Sequence, residues 1–349
     1  MKIYPRSLAL GASVAFVALS LSSPASQAQS TSEFFTDRQL NMLIGGGNGG
    51  SVDIYARILA RHIVNHLPGK PNIVPRNLPS AGGVQAFMTL GTTAPRDGST
   101  FATSARGPLT DPILSESKAA YDPRSFIWIG AINEDSSVCF TGKHSKIKTL
   151  ADAIKGEATM ASTGALAESS KFPLAVNALT GAKLKVITGY KGAADTKLAV
   201  ARGEVDGQCT TFGSVLAVEP DAFSGEKYNF LIQIGERGNP LTPNAPIITE
   251  FVKTPSDQQV LNLIVKPLVI TSSYALPPDV PKDRVEAWRG AFQKVMADAA
   301  FLSDAQKVGL IPSPRSGPEV QKIVENLFAI SAADLKRART VYGYDTSNR

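Results

Sequence analysis

Residues 39–66 read QLNMLIGGGNGGSVDIYARILARHIVNH. Gln39 to Ile44 is a short, mostly apolar run, as expected of a buried strand. Gly45-Gly46-Gly47-Asn48-Gly49-Gly50-Ser51 is a turn with almost no side-chain bulk. Val52 to His66 is predicted to be a helix, because Val52, Tyr55, Ala56, Leu59 and Ile63 fall on one face at three- and four-residue steps. Ser51 suits the N-cap, and Asp53 adds negative charge to the first turn. Leu67-Pro68-Gly69 stops the helix.

The same order recurs downstream. A strand is expected at Pro71 to Arg76, a small-residue turn at Asn77 to Gly83, a helix at Val84 to Thr93 and a strand at Ser99 to Thr103. A second unit starts near Phe126. Its expected strands are Phe126–Ile132, Ser137–Thr141, Thr159–Ser162, Val186–Thr188 and Val205–Phe212. Its expected helices are Leu150–Ala153, Ser169–Thr180 and Thr196–Ala201. The unit closes in the proline-rich stretch Pro240–Pro246; an amphipathic helix is expected at Pro281–Ala300 and a last helix at about Pro318–Thr340. Strands and helices that alternate through glycine-rich turns indicate a parallel sheet covered by helices, an α/β fold.

A chain of 349 residues fits two domains of roughly 100–150 residues each. The net charge is +6, and no dense Lys/Arg patch interleaved with aromatics argues for nucleic acid. Residues 1–28 read as a cleaved secretory signal peptide: Lys2 and Arg6, the apolar run Leu8–Leu21, then Ser26-Gln27-Ala28. The run is too short for the roughly 20 apolar residues of a bilayer span. Export allows a disulfide between the two cysteines, Cys139 and Cys209; they are either bridged or two inert core thiols.

The glycine turn carries most of the chemistry. Amides at a helix start lack internal partners and favour an anion such as a carboxylate or phosphate. Gly45-x-Gly47-x-x-Gly50 also satisfies the dinucleotide fingerprint, but no Asp or Glu lies between Asp53 and Asp97 to hold a ribose, which leaves a NADP-binding oxidoreductase as a minor alternative. Three further clusters follow strands: Thr103-Ser104-Ala105-Arg106-Gly107, Ser162-Thr163-Gly164-Ala165 and Gly189-Tyr190-Lys191-Gly192. Arg106 has the shape to grip a carboxylate with two parallel hydrogen bonds. His62 and His66 lack the partners of a metal motif, and there is no nucleophile elbow or Walker loop, so neither an enzyme nor a cofactor is expected.

These residues resemble the extracytoplasmic receptors of tripartite tricarboxylate transporters, the Bug (TctC-like) family. The family's Pro-Gly-Gly-Gly-Thr-Asp loop and Ala-Arg-x-Leu-Ala helix read here as Asn48-Gly49-Gly50-Ser51-Val52-Asp53 and Ala56-Arg57-Ile58-Leu59-Ala60. Its Asn-x-Pro-Gly-Ala-Gly-Gly reads Asn77-Leu78-Pro79-Ser80-Ala81-Gly82-Gly83. Tyr121-Asp122-Pro123, Tyr190-Lys191-Gly192, Gly203-Glu204-Val205-Asp206 and Ala275-Leu276-Pro277 also fit, in order, from about residue 38 to 340. Val52, Ser51 and Asn48 depart from the family loop, so Ser51 is expected to supply the hydroxyl one position early.

The resemblance implies a two-lobed periplasmic-binding-protein clamshell, each lobe a mixed, mostly parallel sheet flanked by helices. Lobe one would be residues 29–134 plus 266–349, and lobe two residues 135–265. It implies a periplasmic monomer that captures a small organic acid (a mono-, di- or tricarboxylate) for an integral-membrane permease, with a sensor-kinase partner as the alternative. The expected ligand contacts are Asn48, Gly49, Gly50, Ser51, Asp53, Ser104, Arg106, Ser162, Thr163, Ala165, Tyr190 and Asp206.

Overall fold

The computed structural model describes Met1 and residues 30–115, 120–165 and 167–345; the segment read as a signal peptide lies outside the described residues. The strands are β1 (Gln39–Gly45), β2 (Asn72–Asn77), β3 (Thr100–Ser104), β4 (Ile127–Asn133), β5 (Ser137–Gly142) and β6 (Glu157–Ser162). They continue with β7 (Lys183–Thr188), β8 (Gly207–Thr211), β9 (Tyr228–Ile234), β10 (Thr271–Leu276) and β11 (Arg315–Ser316).

They form two sheets, one per lobe. The first has the order β11-β4-β10-β3-β1-β2 and the second β7-β6-β8-β5-β9. β1 is parallel to β2 and β3, and β6 is parallel to β7 and β8. Antiparallel pairings are no rarer, which corrects the expectation of mostly parallel sheets: β10 opposes β3 and β4, and β5 opposes β8 and β9. The cause is topological. β5 and β10 are the strands entered just after the chain crosses from one sheet to the other, at residues 134–136 and 235–270. The two crossings are tied where the Asp135 N–H donates to Leu268 O at 2.9 Å.

Under the first sheet lies the helix Lys282–Met296. Its Trp288 packs on Phe101 with ring centroids 4.5 Å apart and donates through Nε1 to Gly98 O at 3.0 Å. Of the two C-terminal helices expected, the first stops at Met296 and a new helix follows, and the second is broken in two. Asp298 accepts from the Ala300 N–H at 2.8 Å and starts a new helix, Ala299–Lys307, and Ser331 likewise caps Ala332–Val341. The expected boundary at 265/266 falls inside the helix Pro255–Leu268. That helix shares one core with Phe172 and Val176 of the helix Glu168–Thr180 and with Ile232 of β9.

The helix Gly107–Leu114 is an unexpected element, because it contains Pro108 and Pro112. Pro108 sits in the first turn, where no donor is needed. Pro112 cannot donate to the Pro108 carbonyl, and the Tyr121 hydroxyl donates to it instead at 3.1 Å.

The glycine turn is held by one buried carboxylate. Asp53 Oδ2 accepts from the Gly49 N–H at 2.9 Å. Asp53 Oδ1 accepts from Arg57 Nε at 2.8 Å and from Asn77 Nδ2 at 2.9 Å. Asn77 also donates to Gly46 O at 2.8 Å and accepts from Arg57 Nη2 at 2.8 Å, so the loop, the helix Ser51–Ile63 and the end of β2 are locked together. Gly49 has φ +74°, a conformation glycine adopts without strain. Nearby, a Cβ on Gly83 would lie 1.9 Å from Ser104 Oγ, so only glycine lets the following helix come this close to β3.

Cys139 and Cys209 are bridged, directly opposite each other on the antiparallel pair β5/β8 and fully buried. The bridge spans 70 residues of chain, and its loss is expected to cost about 2–4 kcal/mol. Urea unfolding with and without reductant checks this; an unchanged midpoint would contradict it.

Burial raises the Asp53 pKa, but the hydrogen bonds from Gly49, Asn77 and Arg57 together hold it below its ordinary 3.8. A lowered folded-state pKa stabilises the fold above the unfolded value and is lost as pH falls through the folded one. Asp53→Ala should therefore cost about 2–4 kcal/mol at pH 7. The gap between mutant and wild type should narrow as pH drops below about 4. A gap constant from pH 7 to pH 3 would rule out the clasp.

Candidate functional site

The C-terminal ends of β1 and β3 and the start of the helix Ser51–Ile63 face the end of β8 across a cleft between the sheets. Three adjoining recesses run along it. The middle one, about 210 Å³, is walled by Ser51, Val52, Tyr55 and Ser104 from the first lobe, Thr211, Gly213 and Ser214 from the second, and Asp135 from the crossing. A second recess of about 600 Å³ adjoins it past Arg106 and Glu168, which line both. A third of about 530 Å³ adjoins it past Tyr55, Asp135 and Gly213.

The helix start is bare. Gly50 stands at its N-cap and no side chain caps the first turn. Ser51 and Val52 line the middle recess, bringing first-turn amides with no intrahelical partner to its wall. The dipole of this 13-residue helix adds positive potential there. Ser104, 5% exposed, lines the same wall and makes only a long 3.4 Å hydrogen bond to Gly45 O.

Arg106 lines two of the recesses, but its fork is already taken. Nε donates to Glu168 Oε1 at 2.7 Å, Nη2 donates to Glu168 Oε2, and Nη1 donates to Thr271 Oγ1 at 3.1 Å. Burial pulls the guanidinium pKa down, and the Glu168 carboxylate more than restores it, so Arg106 stays charged. A second pair crosses the same seam: Lys171 Nζ donates to Asp111 Oδ1 at 3.1 Å. Burial pushes the Asp135 carboxyl up despite Arg106 and the amides of Ser136 and Gly213. Burial, and then the charge of Asp135, push the Tyr55 hydroxyl to about 12.

The other expected contacts divide. Thr163 lines the larger recess. Asn48, Gly49 and Gly50 are exposed on the turn and form no wall of these recesses, and Ala165 is likewise exposed and outside them. Ser162 is buried, its Oγ 2.8 Å from Ser169 Oγ and 2.7 Å from Ser170 Oγ, where it braces the start of the next helix. Tyr190 packs against the second lobe's core. Asp53 is the clasp of the turn. Asp206 bonds to Ser145 Oγ at 2.7 Å and to the Thr159 N–H and Oγ1 at 2.8 Å, at the start of β8, whereas the cleft lies at its end. Burial raises its pKa, but these bonds outweigh it and hold the carboxyl low.

Several wall residues carried no sequence signal: Tyr55, Asp135, Glu168, Thr211, Ser214, Thr271 and Ser272. Ser272 is notable because it has φ +54° within β10, a strained geometry for a residue with a side chain. Among the described residues no group of three or more His, Cys, Asp or Glu side chains is placed to hold a metal ion, and no helix is long and apolar enough to cross a membrane.

No protein-family model matches this chain, and no curated protein does. Solved structures do. A TctC solute binding protein from Polaromonas, without ligand, matches at a TM-score of 0.64 and 20% identity, over 88% of this chain and 98% of that one. The periplasmic binding protein BugD matches at 0.65 and 18%, over 88% and 98%. MatC from Rhodopseudomonas palustris, with bound malate, matches at 0.64 and 18%, over 87% and 99%. The fold of this chain is therefore the two-lobed α/β fold of the TctC and Bug solute-binding proteins.

Proposed function

We propose that this chain is an exported solute-binding protein of the tripartite tricarboxylate type, which captures a small organic acid between its lobes and delivers it to a membrane permease. The observation that carries the reading is the uncapped helix start at Ser51 and Val52, which forms a wall of a recess enclosed by both lobes. A carboxylate there accepts from bare amides aligned with the helix dipole and from the Ser104 hydroxyl. Thr211 and Ser214 close over it from the second lobe. The malate in MatC, a protein of the same fold, supports a carboxylate ligand.

The lobes would close as rigid bodies about the crossings at 134–136 and 235–270, with no covalent step. The buried disulfide fits an oxidising compartment such as the periplasm, to which the N-terminal segment would direct the chain.

A thermal-shift screen of mono-, di- and tricarboxylates and aromatic acids tests this. A true ligand at 100 times its Kd should add about 2.7 kcal/mol of stability. Ser51→Pro removes the first amide yet suits a first helical position, and Gly50 already has the extended ψ of 165° that precedes a proline. It should weaken binding about tenfold at nearly unchanged apo stability. Ser51→Ala is the control for the hydroxyl. Silence across the panel, or full affinity in Ser51→Pro, would defeat the reading.

A further inference from the structure

The charges in the wall of the middle recess do not balance. Its charged residues are Arg106, Glu168 and Asp135. Glu168 takes two donors of the Arg106 fork and Thr271 takes a third, so that positive charge is already matched. Asp135 is the carboxylate left over; it accepts from the amides of Ser136 at 2.8 Å and Gly213 at 3.4 Å, with the Thr211 side chain and the Arg106 charge also acting on it. The other carboxylates of the adjoining recesses each have a cationic partner: Asp111 has Lys171 at 3.1 Å, Glu134 has Arg315 at 3.1 Å, and Glu236 has Lys266. Arg237 is exposed at the outer recess.

A second observation marks the same space as a ligand site. Ser272 is 5% exposed, lines the middle recess, and its hydroxyl has no hydrogen-bond partner among the described residues. The hydroxyl opens onto the recess, where it is free to pair with whatever docks there.

We infer that the middle recess selects a ligand carrying an ammonium group as well as a carboxylate, with Asp135 receiving the ammonium and Glu168 keeping Arg106 from a second carboxylate. This rests on the reading of the cleft as an organic-acid site. A purely anionic ligand would add a third negative charge to a wall with one guanidinium, in a space where water screens poorly. A zwitterion puts its carboxylate on the helix start and gives Asp135 a cationic partner without adding net charge.

Matched pairs test it on the mature full-length protein by calorimetry: L-alanine against propanoate, L-aspartate against succinate, L-glutamate against glutarate. At least one amino member should bind about tenfold or more tightly than its partner. Asp135→Asn should erase that preference. Glu168→Gln, which frees the Arg106 fork, should tighten succinate or glutarate by about tenfold, and it keeps the test open if the Asp135 variant fails to fold. Equal or tighter binding of every deaminated partner overturns the ammonium site and leaves the organic-acid reading standing. If no member of any pair binds and the carboxylate screen is silent too, both fall.

Discussion

The turn after β1 faces a conflict that the Asp53 carboxylate resolves. Seven residues with almost no side chains must arrive at a fixed place, yet glycine loses more freedom on ordering than any other residue. Packing cannot hold the loop, because there is nothing on it to pack. A buried acid does so instead, gripping Gly49 in the loop, Arg57 one turn along the helix and Asn77 at the end of the next strand. The bareness that leaves the amides of Ser51 and Val52 without a side-chain cap depends on this acid staying charged and holding the turn. An aspartate expected to touch ligand is what keeps the bare turn in shape.

The seam between the lobes follows a related logic. Arg106, at the N-cap of the helix Gly107–Leu114, and Asp111, in its middle, meet Glu168 and Lys171 on a helix of the second lobe. Each pair is largely shielded, so neither charge could be left alone without a large desolvation cost. The pairs therefore set register between the lobes as well as attraction. Their placement beside the middle recess also makes the seam part of that recess's electrostatic surroundings.

What the sequence disclosed was what is local. The strand, turn and helix of residues 39–63 could be read because an apolar run, a glycine cluster and a 3.6-residue rhythm all lie within one window. The ordered motifs extended that to the whole fold. Residues whose role depends on a distant partner stayed hidden. Glu168 matters because Arg106, 62 residues earlier, folds against it, and Asp135 because Gly213 closes over it from 78 residues away. Asp206 was misplaced for a similar reason. A strand's two ends look alike in sequence, and only the pairing with β6 shows that this acid sits by Thr159, away from the cleft. The helix Gly107–Leu114 was masked by two prolines, one harmless by position and the other compensated by a tyrosine hydroxyl.

The chain's last helix, Ala332–Val341, does not stay with the first sheet beside which its predecessor, Gly317–Leu327, is packed. Ala338 and Tyr342 enter the core that serves the second sheet, and the Tyr342 hydroxyl donates to Val260 O at 2.6 Å. A clamshell joined only by its two crossings could swing widely. This one has a third strap, fastened late in the chain, so its gape is limited to motions that leave a shared greasy anchor undisturbed. Any wider opening of the jaw has to pull this buried anchor apart.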